Sequence, residues 1–157
     1  MDKINLICVD DQQAVLNAIS RDLAPLSSWV RIEECESAQE CLALIDELDE
    51  AGEHVALVVS DHVMPGMSGV ALLTLIGRDG RFPHTRKILL TGQATHKDTI
   101  AAVNLARIDH YLEKPWQGAE LLRVCRCLLT EFVLATGIDY QPFIQQLDAP
   151  TLYQKWE

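Results

Sequence analysis

Short apolar runs alternate with amphipathic segments along this chain. Three runs, at residues 4–9, 54–60 and 87–91, are almost continuously apolar, which is typical of strands that are covered on both faces of a sheet. Two further runs, at residues 30–35 and 109–114, mix polar and apolar residues, as edge strands do. The pattern therefore predicts five strands, three central and two at the edges.

Helical periodicity fills the segments between these strands. Apolar residues recur every three or four positions in five stretches, at residues 15–23, 38–48, 70–76, 100–105 and 121–132. Strands that alternate with helices predict an α/β fold with a doubly wound, five-stranded parallel sheet. With the two mixed runs at its edges, this flavodoxin-like (βα)5 sheet takes the strand order 2-1-3-4-5.

Polar residues stand where the predicted strands end. Asp10 and Asp11 follow the first strand, Asp61 follows the third, Thr91 ends the fourth and Lys114 ends the fifth. Because ligands bind beyond the carboxyl ends of the strands in such sheets, we expect these side chains to meet at one edge. Three carboxylates about 5 Å apart repel by about 3 kcal/mol per pair at an effective dielectric constant of about 20, which favours bound protons or a cation.

The residue types at this edge suit phosphoryl transfer with Mg²⁺. Asp10, Asp11 and Asp61 supply the oxygen ligands that Mg²⁺ prefers, and the turn after Asp61 can add a backbone carbonyl. A carboxylate beside a metal, with a lysine and a hydroxyl opposite, positions and neutralises a phosphoryl group. Asp61 is the candidate nucleophile, because carboxylates form aspartyl phosphates. Each aspartate alone is more typical of a solvated turn, so the prediction depends on their combination.

Four motifs, ICVDD, VVSDHVMPGMSG, ILLTG and YLEKPW, follow one another along residues 4–129. With their order and separations, this part of the chain resembles the receiver domain of two-component response regulators. The resemblance implies a receiver domain over residues 1–130 that takes a phosphoryl group onto Asp61. The donor is a phosphohistidine of a sensor histidine kinase or of a phosphotransfer protein. Such a domain is no conventional enzyme, since it catalyses only its own aspartyl phosphorylation and dephosphorylation.

The resemblance also implies roles for the other residues of the site. Asp11 is a direct Mg²⁺ ligand, Asp10 acts mainly through a metal-bound water, and Val63 offers its backbone carbonyl to the metal. Thr91 hydrogen-bonds the phosphoryl group and Lys114 forms an ion pair with it. The peptide bond between Lys114 and the proline after it matches one that is cis in this family.

Tyr111 matches the switch aromatic of the family. The resemblance implies that phosphorylation draws Thr91 toward the phosphoryl group, that Tyr111 rotates into the vacated space, and that the surface of the fourth helix, fifth strand and fifth helix repacks. By the same resemblance, Val63 and Gln93 occupy positions that are expected to tune the access of water to the phosphoryl group, and an apolar Val63 predicts a longer phosphorylated lifetime. His62 is expected to lie exposed at the mouth of the site, without a role of its own.

Three other functions compete with this interpretation. A Mg²⁺-dependent phosphatase with an aspartyl nucleophile usually carries a second acid two residues later, where this chain has Val63. A flavodoxin-like cofactor binder needs a loop of small residues after the first strand, where DDQQA repels phosphate unless a metal intervenes. A degenerate receiver that acts by protein binding alone would lack acids that this chain retains.

Size, charge and cysteine content narrow the class of protein. The 157 residues suit one domain with a short appendage, and the net charge of -10 argues against nucleic acid as a partner. We expect no membrane span, because no apolar run reaches ~18 residues, and no signal peptide. The five cysteines lack zinc-ligand spacing and lie mostly among apolar residues, which predicts reduced thiols in a cytoplasmic protein.

Apolar residues continue through residues 131–157, beyond the resemblance. We expect the last helix of the domain to end at Gly137 and Asp139 to cap a short helix with Pro142 in its first turn. The segment is too apolar for a flexible linker, with Ile138, Tyr140, Phe143, Ile144, Leu147, Leu152, Tyr153 and Trp156. It is a C-terminal helical extension or the start of a linker. It either packs on its own chain or serves a homodimer or a covalently linked output domain.

Residues 89–116 resemble receivers fused to larger signalling enzymes, such as phosphodiesterases, cyclases or hybrid kinases.

Overall fold

A computed structural model describes residues 2–92, 104 and 106–156. The strands β1 to β5 are Ile4–Val9, Arg31–Cys35, His54–Asp61, Arg86–Thr91 and His110–Glu113. The α-helices α1 to α5 of the described residues are Gln13–Asp22, Ala38–Glu50, Gly69–Arg78, Gly118–Thr136 and Ala149–Trp156. Two 3₁₀ helices span Ala24–Ser28 and Gln141–Gln146. The helix predicted at residues 100–105 lies outside the described residues.

All five strands pair in parallel, in the order β2-β1-β3-β4-β5. The predicted doubly wound sheet is confirmed, and the two mixed runs do form its edges. Each predicted strand differs from the observed one by no more than one residue at either end. Asp61 is the last residue of β3, because its backbone still pairs with that of Leu90 in β4.

The sheet has a buried apolar layer on each side. Side chains of successive strand residues point to opposite faces, so Leu6 and Cys8 of β1 join a cluster with α1 and α4. Ile7 and Val9 join a second cluster with α2 and α3. Every residue of β1 is buried. Burial on both faces is the reason that this strand lacks the polar alternation of a strand with one solvated face.

Several helix ends are set by single side chains. The Ser37 hydroxyl caps α2 by accepting a hydrogen bond from the Glu40 N–H at 3.1 Å, and Ser68 caps α3 in the same way through Ala71. These bonds satisfy backbone donors that have no partner inside the helix. Gly137 ends α4, as predicted, with a φ of 74° in the left-handed region that glycine adopts without strain.

The segment after α4 folds back onto the same chain. The backbone N–H of Asp148 donates to the buried Thr130 hydroxyl of α4 at 2.9 Å. The Phe143 ring stacks on Trp29 with ring centroids 4.9 Å apart. Four apolar side chains of the segment are buried in the cluster that contains α1 and α4, namely Ile138, Phe143, Leu147 and Leu152. Packing on its own chain is thus the alternative that the structure supports for these residues.

The expected cap at Asp139 takes a different form. Its carboxylate accepts a hydrogen bond from the Gln141 N–H at 3.1 Å, but the residue at the cap position is Tyr140, and the helix that follows is a 3₁₀ helix. Pro142 lies in the first turn of this helix. Proline is tolerated there, because a backbone N–H in the first turn has no hydrogen-bond partner inside the helix. The capping prediction was therefore wrong by one position.

The cysteines are all free, and four of the five are buried. Burial raises the pKa of the Cys125 thiol well above its usual range, so this side chain stays protonated and behaves as an apolar group. Among the described helices, none is both long enough and apolar enough to span a bilayer.

Replacement of Phe143 by Ala tests the docked segment. We expect the free energy of unfolding to fall by about 3 kcal/mol, because the change removes a buried aromatic ring and its stacking contact with Trp29. Urea unfolding of the full chain measures the difference. Gln145→Ala, an exposed position on the same 3₁₀ helix, is the control, and equal stabilities of the two variants would contradict docking.

Candidate functional site

Three carboxylates meet at the carboxyl edge of the sheet. One oxygen each from Asp10, Asp11 and Asp61 lies within 4.8 Å of the others. Asp10 and Asp61 come together because β1 and β3 are neighbours, with Val9 paired to Ser60 one residue earlier. Asp10 is 1% exposed and Asp61 is 7% exposed, whereas Asp11 faces solvent. The predicted meeting of these acids is thus observed.

Lys114 supplies positive charge to the cluster from the end of β5. Its Nζ lies 3.1 Å from Asp10 Oδ2 and 2.8 Å from Asp61 Oδ1. Its backbone N–H donates to the Thr91 carbonyl at 2.8 Å, and the Lys114–Pro115 peptide bond is cis. One ammonium group among three carboxylates leaves two excess negative charges when all four groups are ionised. A divalent cation would neutralise that excess.

The surroundings shift the pKa values of Asp61 and Lys114. Burial raises the pKa of Asp61 above its ordinary value of 3.8, and the charge of Asp10 acts in the same direction. The hydrogen bond from Lys114 and its positive charge only partly offset this rise. For Lys114, burial disfavours the charged form, but hydrogen bonds to Asp61 and Asp10 outweigh it and raise its pKa. Asp61 therefore carries a negative charge that its surroundings do not fully stabilise.

The turn after β3 passes very close to the backbone of Asp61. The Gly69 N–H donates to the His62 carbonyl at 2.9 Å. A Cβ at Gly69 would lie 2.0 Å from the Asp61 carbonyl oxygen, so only glycine permits this approach. Gly66, with a φ of 83°, makes the turn itself. Sequence reasoning assigned no role to Gly69, although the last glycine of the VVSDHVMPGMSG motif is its signal.

The other predicted site residues differ in exposure. Thr91 ends β4 and is 2% exposed. Val63 and Tyr111 present their side chains to solvent, with 77% and 40% exposure. The expected exposure of His62 was wrong: the residue is half-buried, because its N–H bonds Leu90 and its carbonyl bonds Gly69 beneath the turn. Its Nδ1 is buried and has no hydrogen-bond partner among the described residues. Gln93 lies outside the described residues.

Residues 6–126 match the family described as the response regulator receiver domain. Among curated proteins, the hydrogenase transcriptional regulatory protein HoxA of Cupriavidus necator is 31% identical over 121 residues. The match covers 77% of this chain but only 23% of HoxA, so the chain spans less than a quarter of the length of this relative.

Solved structures share the fold. The signal receiver domain of an HD domain-containing protein from Pseudomonas fluorescens is 33% identical, with a TM-score of 0.68, over 79% of this chain and 92% of that chain. A structure described as adenylate cyclase from Rhodopirellula baltica is 25% identical, with a TM-score of 0.73, over 87% of this chain and 94% of that chain.

Asp61→Asn replaces the buried carboxyl group by an amide of the same shape that does not ionise. Because folding raises the pKa of Asp61, the folded protein retains a proton that the unfolded chain has lost. The contribution of Asp61 to wild-type stability therefore falls as the pH rises from the ordinary pKa of 3.8 through the raised value. We expect the variant to gain free energy of unfolding relative to the wild type over this range and to keep the gain at neutral pH.

Urea unfolding in metal-free buffer, from about pH 4 to about pH 8, measures this difference. Glu50→Gln, at an exposed position, is the control and should show no such growth. A gain for Asp61→Asn that stays constant across the whole range would contradict the raised pKa.

Proposed function

We propose, because this chain belongs to the response regulator receiver domain family, that it accepts a phosphoryl group on Asp61 and changes its binding surface in response. One observation carries the proposal. Asp61 lies beside an ammonium group, with its Oδ1 2.8 Å from Lys114 Nζ, and within 4.8 Å of two further carboxylates. A nucleophile, a cation for phosphoryl oxygens and an oxygen-rich metal site thus occupy one pocket.

In the transfer, a carboxylate oxygen of Asp61 attacks the phosphorus of a phosphohistidine. The O–P bond forms as the P–N bond of the donor breaks, and the electron pair of the broken bond leaves with the histidine ring. Lys114 pairs with the phosphoryl oxygens, and the Thr91 hydroxyl donates a hydrogen bond to one of them. Both residues lie at strand ends, so they are held in place before the donor arrives.

Asp10, Asp11 and Asp61 would hold Mg²⁺, with the backbone carbonyl of Val63 as a further ligand. The donor set fits this ion, because three carboxylates lie within 4.8 Å and one ammonium group leaves their charge in excess. A bound Mg²⁺ supplies positive charge next to the phosphoryl oxygens and to the carboxylates. The chain's own part is to fix the positions of these oxygens at two neighbouring strand ends.

The response to phosphorylation involves Thr91 and Tyr111. Thr91 is buried at the end of β4, and Tyr111 lies on the adjacent edge strand, paired with Leu89. When Thr91 moves toward the phosphoryl group, the Tyr111 ring, now 40% exposed, turns inward. The surface that includes β5 and α4 repacks, which is how a local charge change becomes a change in partner binding.

The partners of this switch follow from its chemistry. Its phosphoryl donor is a sensor histidine kinase or a phosphotransfer protein, and its output is a protein that binds the switched surface or a domain linked to it. The similar proteins carry names as different as a transcriptional regulator and an adenylate cyclase, so receiver similarity alone selects no output. The homodimer and the cytoplasmic location stay predictions.

Acetyl phosphate with Mg²⁺ should add one phosphoryl group to the wild-type chain, because a small acyl phosphate can replace the phosphohistidine donor. Asp61→Ala should stay unmodified, and a chelator should prevent the wild-type reaction. Intact mass spectrometry measures the added group, and Asp46→Ala, an exposed aspartate away from the cluster, is the matched control.

Two results would count against this function. An unmodified wild-type protein, or equal modification of Asp61→Ala, would remove Asp61 as the acceptor. Steady release of phosphate from a chromogenic phosphoester would instead support the aspartyl phosphatase, for which the exposed Val63 offers no acid to the leaving group.

Val63→Asn should shorten the phosphorylated lifetime several-fold. An amide at this exposed position, two residues after Asp61, can orient water toward the phosphoryl group, whereas the apolar valine cannot. The decay of phosphorylated protein after removal of acetyl phosphate, followed by intact mass, gives the rate. An unchanged decay rate would remove the shielding role of Val63.

A further inference from the structure

The connection between β5 and α4 carries Lys114 and is fixed at two points. At one point, the Lys114 N–H bonds the Thr91 carbonyl at 2.8 Å. At the other, the indole N–H of Trp116 donates to Asp22 Oδ2 at 2.8 Å. The connection is short and consists of residues 114–117. Both contacts therefore restrain the backbone around Lys114.

Asp22 is held in place by more than the indole. It is the last residue of α1, and its carboxylate lies against the first residue of α4: a Cβ on Gly118 would be 2.6 Å from Asp22 Oδ1. The residue at the N-terminal cap of α4, Gln117, makes no capping hydrogen bond with its side chain. A carboxylate beside this helix start is favourable, because the N-terminal end of a helix carries partial positive charge.

The indole is positioned by apolar packing. Trp116 packs against the buried cluster that contains β1, α1 and α4, and its hydrogen bond to Asp22 is partly buried. A hydrogen bond to a charged acceptor is stronger than a neutral one, and partial burial limits competition from water. Trp116 thus ties the Lys114 connection to α1, the helix that follows Asp10 and Asp11 directly.

We propose that the hydrogen bond between Trp116 and Asp22 is a positioning contact for phosphoryl transfer, which acts by holding Lys114 at Asp61. The proposal rests on the function proposed above. Neither Trp116 nor Asp22 touches the reacting atoms. The Lys114 side chain is long and 25% exposed, so a fixed backbone limits the conformations from which its Nζ reaches two carboxylates. Small displacements of a charged group in such a site have large effects on rate.

The rate of phosphorylation by acetyl phosphate tests the contact in the full chain. Trp116→Phe keeps an aromatic ring but removes the donor, and Asp22→Ala removes the acceptor. Each should slow phosphorylation by roughly 3- to 10-fold. Asp22→Asn retains a side-chain oxygen as a neutral acceptor, so it should slow the reaction less than Asp22→Ala does. Gly118→Ala, whose Cβ displaces the Asp22 carboxylate, should slow the reaction as Asp22→Ala does.

A second measurement separates positioning from general damage. If Trp116 acts through Lys114, then Trp116→Phe should have no further effect on the residual rate of a Lys114→Ala protein. Damage that is independent of Lys114 would lower the rate by the same factor in both backgrounds. Urea unfolding of each variant confirms that the compared proteins are folded under the assay conditions.

The outcomes are distinct. No phosphorylation of the wild type would overturn the proposed function itself. Phosphorylation of the wild type with an unchanged rate for Trp116→Phe would overturn the positioning role alone. The positioning role would also be overturned if Trp116→Phe lowered the rate by the same factor in the wild type and in Lys114→Ala. It would likewise be overturned if Asp22→Asn were as slow as Asp22→Ala. The positioning role would be supported if Trp116→Phe and Asp22→Ala both slowed the reaction, if Asp22→Asn slowed it less, and if Trp116→Phe had no further effect in Lys114→Ala.

Discussion

The site depends on one electrostatic constraint: among the described residues, three carboxylates share a pocket with one ammonium group, that of Lys114. Asp10, Asp11 and Asp61 approach within 4.8 Å, and Lys114 bonds only two of them. Burial and the neighbouring charge hold the pKa of Asp61 above its ordinary value. This unfavourable arrangement persists because β1 and β3 are neighbours inside the sheet and pair in parallel up to Val9 and Ser60, one residue before the two acids. Separating the charges would require breaking that pairing, so positive charge or proton binding relieves the repulsion instead.

The parts of the chain around the pocket serve to keep this arrangement. Gly69 lets the turn after β3 close over the Asp61 carbonyl without a steric clash, which fixes the backbone of the proposed nucleophile. On the other side, the Lys114 connection is fixed to Thr91 by a backbone bond and to Asp22 by the Trp116 indole. Both devices act on backbone position, because a charged side chain finds its partner reproducibly only when its backbone is held.

The segment after α4 extends the folded unit beyond the part that matches the receiver family. The family match ends at residue 126, within α4, and the helix continues to Thr136. Thr130, on this continuation, bonds the backbone that opens α5, and Phe143 lies on Trp29. Apolar surface of α4 and the ring of Trp29, which follows the first 3₁₀ helix, are therefore covered by the chain itself. The proposed switch surface lies elsewhere, on β5, where Tyr111 is exposed.

Local pattern alone determined the strands, the edge positions and the meeting of the acids at one edge. Strands buried on both faces must be apolar throughout, and the carboxyl ends of parallel strands must lie together. Tertiary packing decided the half-burial of His62, the stack of Phe143 on Trp29 and the bond from Trp116 to Asp22, whose partners are 94 residues apart. No periodicity encodes such contacts, because they depend on how distant segments pack against one another. The sequence therefore determined which groups the site contains, and the packing of α1, α4 and the last segment decided how those groups are held.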